Sequence, residues 1–165
     1  MSKFTQEEKT NIVLENILNR KSVRHYLEGK KIPDAKIQIL LKAGMAAPSA
    51  RNIQPWEFII VDDREILDKL AERNTYGKML FSASHAIIVA GNTDKMGEHK
   101  DFWQQDAAAA TQNIMLMAES MGLGSVWIGV YPKEDRIQIA KDELNLPDNI
   151  IPFNIISLGY PDGTD

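Results

Sequence analysis

The chain has 165 residues, of which 44% are apolar and 25% charged, with a formal net charge of −4. This is enough for one compact core, with 1–165 read as a single domain, and it counts against a general nucleic-acid binder, which carries a net basic face. The absence of cysteine excludes disulfides, thiol nucleophiles and thiolate metal sites. No run approaches the roughly 18 apolar residues that cross a bilayer, so no membrane partner is expected. The start, Met1-Ser2-Lys3-Phe4-Thr5-Gln6-Glu7-Glu8, is polar and acidic, unlike a secretory signal, so a cytoplasmic protein is expected.

In chain order, residues 6–19 read as a helix with Val13, Leu14, Ile17 and Leu18 at helical spacing. Gly29 to Pro33 is a turn, and Pro33 suits the first position of a second helix. That helix carries Ile37, Leu40, Leu41 and Met45 on its apolar face and ends near Ala47-Pro48. A stiff loop, 48–55, leads into a strand, Trp56 to Val61. Asp62-Asp63 opens a short helix with Ile66, Leu67 and Leu70 inward. A polar linker spans 73–80, and His85 to Ala90 is a buried strand followed by a polar connection over 91–100. Residues 101–121 form the longest helix, with Ala107, Ala110, Ile114, Met117, Ala118 and Met121 on one face. Gly122 and Gly124 stop it, and Ser125 to Val130 is the next strand. Pro132 opens a helix that closes before Pro147, and Phe153 to Leu158 is the last strand. Strands alternating with helices predict a three-layer α/β arrangement with a parallel sheet.

Three stretches are candidates for chemistry. Arg20-Lys21-Ser22-Val23-Arg24 places two guanidiniums, an ammonium and a hydroxyl within five residues, a donor set that suits a bound anion. The same cluster also reads as a solvated helix end that offsets the macrodipole. The loop Pro48-Ser49-Ala50-Arg51-Asn52-Ile53-Gln54-Pro55 reads either as a turn capped by Ser49 and Asn52 or as a donor wall for a polar heterocycle. In 122–129, Gly122 is a helix stop, whereas Gly129, near the strand's end, lets a backbone N–H approach a flat ligand. GxGxxG and the Walker motif are absent. The three histidines, His25, His85 and His99, do not pair at ligand spacing, so no metal site is expected, and His85 reads as a satisfied core residue.

Four motifs in order resemble the nitroreductase family of FMN-dependent NAD(P)H oxidoreductases. They are Arg20-x-Ser22-x-Arg24, then Pro48-Ser49-x-x-Asn52-x-Gln54-Pro55-Trp56, then Gly122-Leu123-Gly124-Ser125-x-Trp127-x-Gly129, and Leu158-Gly159-Tyr160-Pro161. The resemblance covers nearly the whole chain. It implies an α+β fold with a mixed, largely antiparallel sheet flanked by helices, in place of the parallel one. It also implies a homodimer with the long central helix and its alanine face at the interface, and FMN held there by both subunits.

By the same resemblance, Arg20 and Ser22 would hold the FMN phosphate, Lys21 the ribityl region and Arg24 the N1/O2 edge. Pro48, Ser49 and Asn52 would come from the partner subunit. Gly129, or its neighbours Ile128 and Val130, would offer a backbone N–H to flavin N5, and Lys78 would lie near the pyrimidine edge. With NADH or NADPH as donor, the reaction would be a ping-pong reduction of nitroaromatics or quinones. The flavin carries that chemistry, so no protein acid, base or nucleophile is required. Family members commonly place a cation beyond the last strand, but no Lys or Arg follows Lys141 here. That departure motivates an alternative, a flavin-binding or flavin-handling protein without turnover.

Overall fold

The computed structural model describes residues 3–165; Met1 and Ser2 of the polar N-terminus lie outside the described residues. Four strands form one sheet: β1 (Trp56–Val61), β2 (His85–Asn92), β3 (Gly124–Gly129) and β4 (Ile150–Gly159), in the order β1-β2-β4-β3. Every neighbouring pair is antiparallel, which overturns the parallel sheet predicted from alternation. The register gives the reason. Val61 pairs with Ala86 and Gly129 with Asn154, so each of these connections leaves and re-enters the sheet on the same side. A helix in such a connection makes a round trip and not a crossover. The α+β class and antiparallel character implied by the resemblance hold. Among the described residues the parallel component reduces to one isolated bridge, Ser22 to Ser125.

Period-two alternation along β2 and β4 splits the core between the two faces of the sheet. Ile87, Val89, Ile156 and Leu158 pack against α2 (Asp34–Met45) and α5 (Trp103–Ser120). Ala86, Ile88 and Ile155 pack against α3 (Arg64–Arg73) and α6 (Glu134–Leu144). Ile87, Ile88, Val89, Ile155 and Ile156 are essentially inaccessible, and each such side chain contributes ~1.5–3 kcal/mol of burial. α2 lies close on α5 because Gly44 has no side chain; a Cβ there would sit 2.9 Å from Ile114 Cδ1.

Several predicted boundaries shift. β4 begins at Ile150 and not at Phe153, since Pro152 is accommodated where the register slips opposite Val89 and Ala90. Pro33 sits just before the first helical residue of α2, and Met45 on its predicted apolar face is 50% exposed. The polar connection after β2 contains a four-residue helix, α4 (Thr93–Met96), and α5 begins at Trp103. Gly122 ends α5 as expected, at φ +70 with its N–H on Glu119 O.

α1 (Gln6–Asn19) forms as predicted, with a reciprocal cap between Thr5 and Glu8. It buries none of its residues: Val13, Leu14, Ile17 and Leu18 are all exposed. α2 and α5 already cover that face of the sheet, and α1 rests on α5 with Asn16 Nδ2 donating to Leu116 O at 2.9 Å. The alanine face of α5 expected at a dimer interface is turned inward in part, because Ala107 and Ala110 are buried within the chain.

Candidate active site

After α1 the chain runs extended beside the start of β3. Val23 N–H donates to Ser125 O at 3.0 Å, and Tyr26 OH donates to Val23 O at 2.7 Å. Burial pushes the Tyr26 phenol well above its ordinary value, so it stays a neutral donor. Two glycines permit this seating. A Cβ at Gly124 would lie 2.6 Å from Val23 Cγ1, and one at Gly159 would lie 2.6 Å from Tyr26 Cγ. Residues 20–24 are therefore not a loose helix end but a strip fixed against the sheet.

Arg24 on this strip and Ile128 and Gly129 on β3 line one cavity of about 350 Å³, together with Val126 and Trp127. Segments far apart in sequence thus converge there. The remaining lining is Tyr76, Met79 and Arg136, with no carboxylate. Arg136 Nη1 donates to Gly129 O at 2.9 Å, and its guanidinium stands 4.8 Å from the Tyr76 ring centroid. A Cβ added at Gly129 would meet only Arg136 Nη1, at 3.8 Å, so the glycine opens onto the cavity and not onto packed core.

Lys21 Nζ donates to Asp165 O at 2.5 Å, and the Asp165 carboxylate accepts the backbone N–H groups of Arg24 and His25 at 2.9 and 2.8 Å. Lys21 is therefore engaged away from the cavity, whereas the Arg20 and Arg24 guanidiniums have no ion-pair partner among the described residues. Ser22 is half-buried at its bridge to Ser125. Lys78 Nζ donates to Ala71 O at 2.9 Å, capping the end of α3, and does not line the cavity.

Pro48, Ser49 and Asn52 do not line it either. Their loop is held by its own bonds: Ser49 Oγ accepts Gln54 N–H at 2.9 Å, and Asn52 Oδ1 accepts Gln54 Nε2 at 3.0 Å. Arg51, Asn52 and Gln54 adopt left-handed φ of 53, 56 and 53, a strained set for residues with side chains. Buried Asp106 holds the loop from α5, accepting Ala50 N–H at 3.0 Å.

Sequence reasoning missed Asp106, Tyr76 and Arg136. A signal existed for Arg136, which is a cation in the first turn of α6, where the macrodipole disfavours one. Tyr76 and Asp106 carried no comparable signal. Among the described residues no cluster of His, Cys, Asp or Glu could hold a metal, and no helix is long and apolar enough to cross a membrane. His85 is buried with Nδ1 2.8 Å from Ser84 Oγ, consistent with a satisfied core histidine.

A larger cavity, about 690 Å³, lies between α1 and the α2–α5 pair, with Ile12, Val13, Ile17 and Met117 in its walls. It includes none of the predicted site residues. It has no convergent cationic donors, and its character is that of an uncovered apolar groove.

The Nitroreductase family model matches residues 17–77 and 70–160. A candidate NADH dehydrogenase/NAD(P)H nitroreductase from Archaeoglobus fulgidus is 48% identical over 148 residues, covering 90% of this chain and 84% of that protein. A crystal structure of a protein from Parabacteroides distasonis with the same description is 51% identical and superposes with a TM-score of 0.88, covering 94% of this chain and 90% of that one. A candidate nitroreductase from Desulfovibrio desulfuricans, crystallised in complex with FMN, is 31% identical with a TM-score of 0.79, covering 91% of this chain and 86% of that one.

Proposed function

The chain belongs to the nitroreductase family of oxidoreductases, and from that premise we propose that it is an FMN-dependent NAD(P)H oxidoreductase acting on electron-poor acceptors such as nitroaromatics and quinones. The observation that carries this reading is the cavity at Arg24 and Gly129, where a free guanidinium and a glycine with no packed neighbour at its Cβ position face one space with no acid in its lining. The donor set fits the group: a cation for an electron-rich ring edge, backbone close enough for a flat ring, and aromatic surface from Trp127. FMN, when bound, supplies the hydride transfer from NAD(P)H to the acceptor in a ping-pong cycle.

The chain's own residues bind and orient. Arg20 and Ser22 would hold the phosphate. Arg24 would face the N1/O2 edge and supply a fixed cation there. A backbone N–H of Ile128 or Gly129 would address N5; that of Val130 already donates to Phe153 O at 3.3 Å. Lys21 and Lys78 enter this set only by exchanging their present acceptors, Asp165 O and Ala71 O. Pro48, Ser49 and Asn52 complete the site from a second copy. The apolar residues that α1 leaves exposed, Val13, Leu14, Ile17 and Leu18, and the groove beside it support such a homodimer. The cytoplasm, with its NAD(P)H pool, is the proposed location.

The test is the visible spectrum. The purified protein is expected to bind FMN, absorb near ~450 nm and bleach on anaerobic addition of NADH or NADPH. A colourless protein that refuses added FMN refutes the proposal. Bound flavin that no reduced dinucleotide bleaches leaves a binder without turnover.

A further inference from the structure

Arg136 has no part in the flavin contacts set out above, yet it is built into the same cavity. One N–H is taken by Gly129 O, and the centroid of the Tyr76 ring lies 4.8 Å from its guanidinium. The backbone at Tyr76 is held in turn by buried Asn74, whose Oδ1 accepts Tyr76 N–H at 3.0 Å. A guanidinium carries five N–H donors, and among the described residues no other acceptor and no carboxylate engages this one. The neighbouring acids Glu134 and Asp135 do not line the cavity. With Arg24 committed to the ring edge, a second uncompensated cation remains. Tyr76 beside it is 64% exposed, which places the pair at the rim and open to solvent. Two like charges in a concave site focus a positive potential that favours an incoming anion.

We infer that Arg136, held by Tyr76 and Gly129, is a specificity residue for aromatic acceptors bearing a carboxylate or sulfonate, whose oxygens match the guanidinium fork. The inference rests on the oxidoreductase reading above. For a nitroarene, NAD(P)H gives a hydride and solvent one proton. The nitro group becomes nitroso and one water leaves, while the carboxylate stays outside the balance and serves binding alone.

The FMN-loaded protein is reduced anaerobically, and its reoxidation by 4-nitrobenzoate and by methyl 4-nitrobenzoate is followed by stopped flow. Arg136→Gln is expected to lower the carboxylate-to-ester rate ratio about tenfold or more, and Arg136→Lys to lower it less, because an ammonium keeps the charge but lacks the fork. Calorimetric binding of benzoate against benzamide, with no turnover, should rank the three proteins in the same order. An unchanged ratio in Arg136→Gln overturns the inference. So does a defect confined to reduction by NADPH, which assigns the guanidinium to the dinucleotide. If neither NADH nor NADPH bleaches the loaded protein, the oxidoreductase reading fails instead. The benzoate titration then still decides whether Arg136 selects an anion, since equal binding by the native protein and Arg136→Gln rejects it.

Discussion

Gly124 and Gly129 open and close β3, and one added methyl should act differently at each. At Gly124 a Cβ would stand 2.6 Å from Val23 Cγ1 and 2.8 Å from Val23 Cβ. That is about 1 Å inside the ~3.5–4.0 Å optimum between carbons. Val23 is 3% exposed, so it cannot swing away, and its N–H is bonded to Ser125 O. Relief requires lifting residues 20–26 off the sheet. Overpacking of this kind costs ~1–3 kcal/mol, and at about 2–4 °C per kcal/mol for a chain this size the Tm should fall by roughly 2–12 °C. At Gly129 the nearest atom is Arg136 Nη1 at 3.8 Å, an ordinary contact. Removing glycine there restricts the unfolded chain, so stability should hold or rise by ~0.4–1 kcal/mol. The methyl enters the cavity instead, and FMN affinity should fall. Thermal melts are compared on the apoprotein, because bound FMN would raise the Tm by mass action, and FMN binding is titrated separately by fluorescence quenching. A Gly124→Ala protein that melts with the native one would refute the seating argument. A Gly129→Ala protein that is destabilised yet binds FMN normally would refute the cavity assignment.

Arg20→Ala should weaken FMN binding by about 1.5–3 kcal/mol, the worth of a charge-assisted phosphate contact; an unchanged titration curve rejects the role. Burial holds the His85 imidazole below its ordinary value of 6.5, with Lys31 adding to the effect and Asp62 and Asp34 opposing it. The unfolded chain then takes up the proton first, so stability should decline as pH falls through ~6.5 toward the lower folded value and be whole above it. His85→Gln should flatten that part of a stability-against-pH series, and a slope equal to the native one would discount His85 as its source. Ile17→Glu on α1 should change monomer stability little, since Ile17 is 46% exposed, but should shift the assembly from dimer to monomer in light scattering. A dimer that survives places the interface elsewhere.

Much of the local structure was legible because it depends on neighbours in sequence. The limits of α1 and β1, the Asp63 cap of α3, the stop at Gly122 and the buried character of β2 follow from capping chemistry, glycine conformation and apolar runs. These are properties that a window of a few residues carries within itself. Of the four motifs, Arg24 from the first and Trp127 and Gly129 from the third meet at one cavity, whereas the 48–56 and 158–161 stretches do not line it.

The features that local patterns left open involve partners distant in the chain. Strand direction was misread because alternation does not say whether a helix crosses the sheet or returns to the side it left. The apolar stripe of α1 has a spacing compatible with burial, yet α2 and α5 already occupy the sheet face it could have covered. Lys21 and Lys78 are side chains of the right kind whose ammoniums are drawn to Asp165 O and Ala71 O. Arg136, Tyr76 and Asp106 enter the account through Gly129, Asn74 and Ala50, contacts that no local window contains. Local residue patterns set most of the elements and the donors available. Long-range packing decided which of those donors face one another, because a side chain's role depends on the acceptor nearest to it in space.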